Sequence, residues 1–586
     1  MKHTISKLTI KNFRSCINAE FKFSAYTPLV GYNNAGKSNI LSALQWLLKK
    51  STLSEKDFND QKLPVEVIAE VTGLAAELLD KMPSNQKTAL EKFIVNETLI
   101  IRRLQDSPTT KATDIKLTVW DEAISDWSKN PTGLDNAISS ILPDPIRIGA
   151  MENAAEDASK ARANTTIGKL LAEFLNPVKS AHKEELDKHL SEVQQRISAD
   201  GDCRFSELSS IDDSVNKKID DLFPGMSIKL HFDIPSFDDL IKAGTIKVYE
   251  GKNVARDFSS YGHGAQRSIQ IALIQYLAEI KRVNASNITT TTLLLIDEPE
   301  LYLHPFAIEQ VREALLALSK SGYQVIISTH SAQMVTSEQS QFTLLIRKDE
   351  CNGTYARKRL SDAIQNIVPD SIHQMEQLFS LSHSTQVLFA EYVILAEGKT
   401  ERRLLPFLFK KITGRTMGQE KYALIAQTGV NDTKKSMEIL QAMSIPSKAI
   451  ADLDYGLTGA IKHGFIDAND IDVIEIKNIF KLLSDQGKIT LNGNGVPKNG
   501  IVDASKAYEL ISNESSAIPH IKALHVKMKE KGIWLWESGA IEAHIGITNK
   551  DEKSWAKFKK DIASNGLQQT CSDYKSIIDL IEWLRN

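Results

Sequence analysis

Tyr26-Thr27-Pro28-Leu29-Val30-Gly31-Tyr32-Asn33-Asn34-Ala35-Gly36-Lys37-Ser38 decides the fold of the first half of the chain. Its apolar start reads as a strand, and Asn39 to Leu48 then brings apolar residues round at helical intervals. Between strand and helix, Gly31 and Gly36 allow a turn whose backbone N–H groups point inward, an arrangement suited to a phosphate chain at a helix N-terminus. Lys37 would reach β- and γ-phosphate oxygens, and the Ser38 hydroxyl would bind Mg²⁺. Asn33, Asn34 and Asn39 complete the expected contact set. A Gly-rich turn can arise by chance, but the flanking strand and helix make that reading weak.

Leu293-Leu294-Leu295-Ile296-Asp297-Glu298 supplies the other half of a nucleotide site. A continuous apolar run suits a central parallel strand covered on both faces, and open α/β sheets carry ligands at the C-terminal ends of strands. Asp297 is expected to hold Mg²⁺ through water and Glu298 to polarise the attacking water. The nucleotide implied is ATP.

A second constellation lies downstream. Tyr392-Val393-Ile394-Leu395-Ala396-Glu397-Gly398-Lys399-Thr400-Glu401 is an apolar strand ending in Glu-Gly, with another glutamate four residues on. Ala449-Ile450-Ala451-Asp452-Leu453-Asp454 follows, and strand periodicity would put both aspartates on one face. Like charges that close are costly unless a cation sits between them. Oxygen-only ligands suit a hard cation, Mg²⁺ or Mn²⁺. An isolated Asp-x-Asp is usually a solvated surface feature; its position after the Glu-Gly strand gives it weight.

The chain has 586 residues, 42% of them hydrophobic, several times the length at which one core stops growing, so two to four domains are expected. No apolar run reaches about 18 residues, and the opening Met1 to Phe13 has no signal-like apolar stretch, so a soluble, cytoplasmic chain without membrane contact is expected. Cys16, Cys203, Cys351 and Cys571 share no C-x-x-C spacing, so no disulfide framework or zinc site is implied. The net charge of -3 gives no global attraction to a polyanion; contact with DNA would need local basic patches.

Patterning divides the chain into 1–165, carrying the phosphate loop; a charged helical insertion at 166–225; 226–365, carrying the acidic strand; a helical linker at 366–390; and 391–586. Met226 to Ile234 and Thr245 to Glu250 alternate as strands would. The amphipathic insertion would serve equally as a dimer element or as packing on its own domain.

Several further pieces resemble the SMC, RecF and Rad50 group of ABC ATPases. Asn12-Phe13-Arg14-Ser15 is similar to the arginine motif of that group, Glu300-Leu301-Tyr302-Leu303-His304-Pro305 to its D-loop, and Ser328-Thr329-His330 to its switch histidine. Gly262-His263-Gly264-Ala265-Gln266-Arg267 resembles the signature loop that caps ATP across a dimer, with His263 where the family has serine. The resemblance adds Arg14, His263, Gly264, Gln266 and His330 to the ATP site.

Glu-Gly followed by Asp-x-Asp resembles the Toprim pattern, with Gln427-Thr428-Gly429-Val430-Asn431 similar to its glycine-bearing turn. Both halves on one chain resemble the OLD (overcome lysogenisation defect) nucleases. The fold implied is α/β: an ABC-type, SMC/RecF-like ATPase domain with a helical insertion, then a C-terminal Toprim α/β domain. The family's later acidic motif resembles Glu537-Ser538-Gly539-Ala540-Ile541-Glu542, with Glu542 the better candidate, and its lysine would be Lys550 or Lys553. Glu397, Glu401, Asp452, Asp454 and Glu542 would then hold two metals for phosphodiester cleavage. The resemblance implies an ATP-dependent or ATP-modulated DNase, double-stranded DNA as substrate, a homodimer or higher homo-oligomer, and interference with other phages. The competing reading is a RecF-like DNA-binding clamp whose Toprim part does not cleave. Strand passage or priming would need a nucleophilic tyrosine, or template sites, that no motif supplies.

Overall fold

The computed structural model describes residues 3–128, 133–149, 166–236, 239, 246–251, 255–283, 291–364, 384–427 and 433–586. Two compact units emerge: Met1–Leu29 with Gly36–Met334 and Lys348–Thr354, and Val30–Ala35 with Val335–Arg347 and Tyr355–Asn586.

The first unit opens with β1 (Thr4–Phe13), β2 (Cys16–Lys22) and β3 (Tyr26–Val30). The helix α1 (Lys37–Leu48) follows, then β4 (Val65–Thr72), β5 (Thr98–Gln105), β6 (Leu117–Asp121), β7 (Asp126–Trp127) and β8 (Ile146–Ile148). Strands β7-β6-β5-β4-β1-β2 are neighbours in that order and antiparallel. Their residues alternate as one-sided sheets do: Val65, Val67, Ala69 and Val71 of β4 are buried, their neighbours half-exposed.

The chemistry-bearing strands differ. β9 (Thr292–Asp297) runs parallel to β8 on one side and to β10 (Tyr323–Thr329) on the other. All seven residues of β10 are buried, and five of the six in β9, because helices cover this sheet: Ile274 of α4 (His263–Val283) and Ile308, Val311 and Leu315 of α5 (Pro305–Ser319) join Leu294, Ile296, Val325 and Ile327 in one core.

Two helices, α2 (Thr166–Ile197) and α3 (Ser206–Asp220), occupy the charged insertion. The strand expected over Met226 to Ile234 is not formed. Side chains of α2 and α3 take the place of a partner strand. Asn216 pairs with both N and O of Ile228 at 2.7 and 2.9 Å, Asp212 accepts from Leu230 N, and Gln194 bonds Ile234 N and Phe232 O. Of the strand expected over Thr245 to Glu250, the described residues 246–250 form only Lys247–Val248. Most of the expected linker at 366–390 lies outside the described residues; Ser384–Phe389 is a 3₁₀ turn.

The second unit carries a parallel four-stranded sheet in the order β12 (Tyr422–Ala426), β11 (Tyr392–Ala396), β13 (Ser447–Ala451), β14 (Ile533–Leu535). Helices α6 (Lys399–Thr413), α7 (Leu453–Leu457), α8 (Ile541–Ile545), α9 (Glu552–Asn565) and α10 (Tyr574–Arg585) follow the strands or close the chain. Val30, Val335, Leu345 and Leu360, which patterning assigned to the ATPase, share a core with Val393 and Leu395 of β11. Their apolar side chains explain why those short segments belong to this unit.

Candidate active sites

The candidate nucleotide site gathers the turn into α1 and the C-terminal ends of β9 and β10. Gly36 has φ +98, and a Cβ there would come within 2.0 Å of Thr354 Oγ1, so only glycine fits the turn into α1. Asn33, Asn34 and Ser38 are exposed, while Lys37 is buried, its Nζ 2.8 Å from His330 Nε2. Asp297 ends β9, taking a hydrogen bond from Ser328 Oγ, and Glu298 follows with φ 48, a left-handed conformation uncommon for a side chain this long. Glu298 Oε1 lies 3.4 Å from His330 Nε2. Glu300 of the D-loop motif gathers the switch segment: its Oε1 accepts from Thr329 Oγ1, His330 N and Ser331 N at 2.8, 2.7 and 3.2 Å.

Arg14 braces α1 from outside, donating to Asp57 Oδ1 at 3.0 Å and to Asn39 Oδ1 and Ser42 Oγ. Asn39 also donates to Ser15 Oγ at 2.7 Å. Both residues are therefore engaged in shaping the loop. In the signature loop, Gln266 is buried and donates to Tyr261 O at 2.7 Å, and Gly264 backs onto Tyr302 O of the D-loop. The His263 side chain lies outside the described residues.

The carboxylate cluster sits at the C-terminal edge of the second sheet. Glu397 follows β11, and Glu401 is buried in the first turn of α6. A Cβ on Gly398 would fall 1.8 Å from Glu401 Oε2, so the glycine makes room for that carboxylate. The aspartates correct the sequence expectation: β13 ends at Ala451, Asp452 is the N-cap of α7 and Asp454 lies in its first turn. A helix N-terminus tolerates this negative charge as a second strand position would not. Glu542 is buried in α8. Lys550 Nζ stands 3.3 Å from Glu542 Oε2 and 4.0 Å from Asp452 Oδ2, whereas Lys553 is an exposed residue of α9. The turn at Thr428 to Asn431 lies outside the described residues.

The electrostatics are those of crowded like charges. Burial, then Asp454 and Glu401, pushes Glu397 up to about 7. Burial first, with Glu542 adding, pushes Glu401 up to about 7. Asp452 and Asp454 are also raised, again chiefly by burial. Lys550 is raised in turn, Asp452 and Glu542 together outweighing its burial. Among the described residues no three His, Cys, Asp or Glu side chains converge on one point; Lys550 stands among the carboxylates and supplies the local cation. Asp454 Oδ1 is nevertheless buried without a hydrogen-bond partner, and Glu542 Oε2 has only the Lys550 ammonium at 3.3 Å. Buried anionic oxygens of this kind fit a hard divalent cation.

Residues 1–335 match the model of the AAA ATPase domain, and residues 388–454 that of the overcoming lysogenization defect protein-like TOPRIM domain. Across 590 aligned positions, 99% of each chain, the sequence is 39% identical to the Old nuclease of Escherichia phage P2. The chain belongs to the OLD nuclease family. It is also 23% identical to the OLD nuclease of Thermus scotoductus, over 77% of this chain and 82% of that one. With endonuclease GajA of Bacillus cereus it shares 22% identity over 70% of this chain and 67% of the other.

The TOPRIM match of this OLD chain ends at Asp454; Glu542 and Lys550, named by the resemblance, lie beyond it and are brought to the cluster by the fold. Geometry also reveals residues that motif reading missed. Thr400 Oγ1 donates to Glu542 Oε1, and Trp536 Nε1 donates to Glu401 Oε1 at 3.0 Å. His544, 1% exposed, accepts from Ser538 N at 3.0 Å through Nε2, and its Nδ1 lies 2.8 Å from Asp573 Oδ2. The same turn ties back to the aspartates, Leu453 N donating to Gly539 O at 2.8 Å. In the candidate nucleotide site Arg147, the middle residue of β8, reaches within 3.6 Å of Asp297 Oδ2 and donates to Ser42 Oγ at 3.1 Å. No local pattern announces any of these; apart from Ser538, six residues from His544, each partner lies far away in sequence.

Proposed function

We propose that this OLD-family chain is an ATP-binding and ATP-hydrolysing, divalent-metal-dependent nuclease that cleaves the phosphodiester backbone of double-stranded DNA. One observation carries the reading: five carboxylates and one lysine gather at the ligand edge of a parallel sheet, four of the acids with raised pKa. A protein bears that electrostatic cost where a cation and a phosphate offset it.

Glu397, Glu401, Asp452, Asp454 and Glu542 are the residues that would hold Mg²⁺ or Mn²⁺. Bound there, such ions supply a water acidic enough to attack and neutralise the leaving oxygen. Lys550 sits where it can offset charge growing on the scissile phosphate. Thr400 and Trp536 donate to Glu542 and Glu401, fixing which oxygens remain available. In the other unit, Lys37 and Ser38 engage ATP and its Mg²⁺, Asp297 assists that ion, and Glu298 orients water, with His330 beside both Lys37 and Glu298. The family likeness extends the proposal to a homodimer and to a role in interference between phages.

Linear and supercoiled DNA incubated with Mg²⁺ or Mn²⁺, with and without ATP, tests this. Wild type should fragment the DNA and Asp452→Ala/Asp454→Ala should not. Intact DNA with both proteins under every metal condition ends the nuclease reading.

A further inference from the structure

Helix α6 leaves the metal cluster carrying Lys399, Arg402, Arg403, Lys410 and Lys411, all exposed, while its one acid, Glu401, is buried. Helix α9 begins two residues after Lys550 and carries exposed Lys553, Lys557 and Lys560 with half-buried Lys559, against Glu552 and Asp561. The two helices hold nine basic and three acidic residues, a local charge of +6, in a chain whose net charge is -3.

Their faces are joined. Arg403 Nη2 lies 2.9 Å from Glu552 Oε2, and further along Lys411 and Lys559 approach the Phe407 ring from the two helices at 5.8 and 5.5 Å. The basic surface is thus one band that starts beside Glu401 and Lys550 and runs away from them.

Such a band opposes helix stability. Lys399, Arg402 and Arg403 put positive charge at the N-terminal end of α6, the end whose dipole disfavours cations. Lys553, Lys557 and Lys560 repeat at i, i+4 and i+7, a spacing at which like charges repel. A polyanion laid along the band would reverse both effects. From Lys399 to Lys411 the helix rises about 18 Å, which matches roughly five nucleotides of one strand at about 3.4 Å each.

We propose that this face of α6 and α9 is the track that guides the backbone of double-stranded DNA into the carboxylate cluster, by charge and without reading sequence. The proposal rests on the nuclease reading and adds to it the surface that holds substrate.

The test uses the full-length protein and a labelled DNA duplex, with Lys410→Gln/Lys411→Gln, Lys557→Gln/Lys560→Gln and the quadruple variant. Binding is measured against KCl in an Asp452→Asn background, where cleavage is blocked, and cleavage kinetics in the native background. Each double variant should weaken binding, most at low salt, and flatten the log–log salt dependence by about 0.9 for each phosphate that is no longer neutralised. KM for DNA should rise while kcat at saturating DNA and ATP turnover hold. Wild-type affinity and salt slope in the quadruple variant would overturn the track while leaving the nuclease reading intact. A wild-type protein that neither binds nor cuts DNA would overturn both. Loss of kcat with unchanged DNA affinity would also overturn it, assigning these lysines to the chemistry instead.

Discussion

Lys37 Nζ lies 2.8 Å from His330 Nε2. An ammonium only donates, so Nε2 accepts and the imidazole proton sits on Nδ1. Burial, then the charge of Lys37, lowers the His330 pKa, Glu298 and Asp297 opposing. His330 is therefore neutral and holds the lysine proposed to engage ATP. Lys37→Ala should abolish nucleotide binding. His330→Ala should bind a fluorescent ATP analogue near normally yet release phosphate about 100-fold more slowly, the usual effect of removing one preorganised polar group. Normal turnover in His330→Ala would remove it from the machinery.

The carboxylate cluster makes metal-free stability depend on pH. Glu397 and Glu401 at about 7, with Asp452 and Asp454 also raised, have folded pKa values above their unfolded ones. Their contribution is complete below the unfolded values and lost as pH rises through about 7. Calorimetry with chelator should therefore show Tm of this unit falling from about pH 5 to about pH 7 and levelling off above it, and Asp452→Asn or saturating Mg²⁺ should flatten the fall. A Tm that rises across that range would contradict the assignment.

His544 positions the turn between β14 and α8. Because Ser538 N donates to Nε2, Nδ1 carries the proton and donates to Asp573. His544→Gln can keep the hydrogen bond to Ser538, and His544→Asn the one to Asp573. His544→Ala should lose about 10- to 100-fold in Mn²⁺ affinity, the range for groups that orient metal ligands. Gln should recover more of it than Asn, ATP turnover staying constant. Equal affinity in all three variants would make the pair a packing feature only.

His263 stands where related signature loops have serine. If it caps ATP in a second copy of the chain, His263→Ala should lower ATP turnover and weaken its dependence on protein concentration. Phosphate release measured across a dilution series decides it; turnover unchanged at every concentration would count against the alignment.

Legibility in the sequence follows how local the chemistry is. Gly36, Lys37, Asp297 and Glu298 lie on contiguous strand–turn–helix segments, so pattern and spacing are enough to place them together. Asp452 and Asp454 are legible as a pair but not as to their element, because a two-residue spacing fits a strand and a helix N-terminus equally. Lys550 and Lys553 are not separable by sequence: the choice depends on α9 beginning at Glu552, which leaves Lys550 in the preceding loop and turns Lys553 outward. Trp536, Thr400, Asp573 and Arg147 give no signal, since single polar groups acquire a partner only when strands far apart in sequence assemble. Met226 to Ile234 alternates as a strand does, yet periodicity cannot say whether a neighbouring strand exists to accept its hydrogen bonds.

Lys550, set between Asp452 and Glu542, has a consequence for the protein before it meets DNA. The ammonium is a tethered understudy for a divalent ion, available at no concentration cost. Because that compensating charge belongs to the chain itself, the carboxylates can pack this closely without depending on an ion from solution.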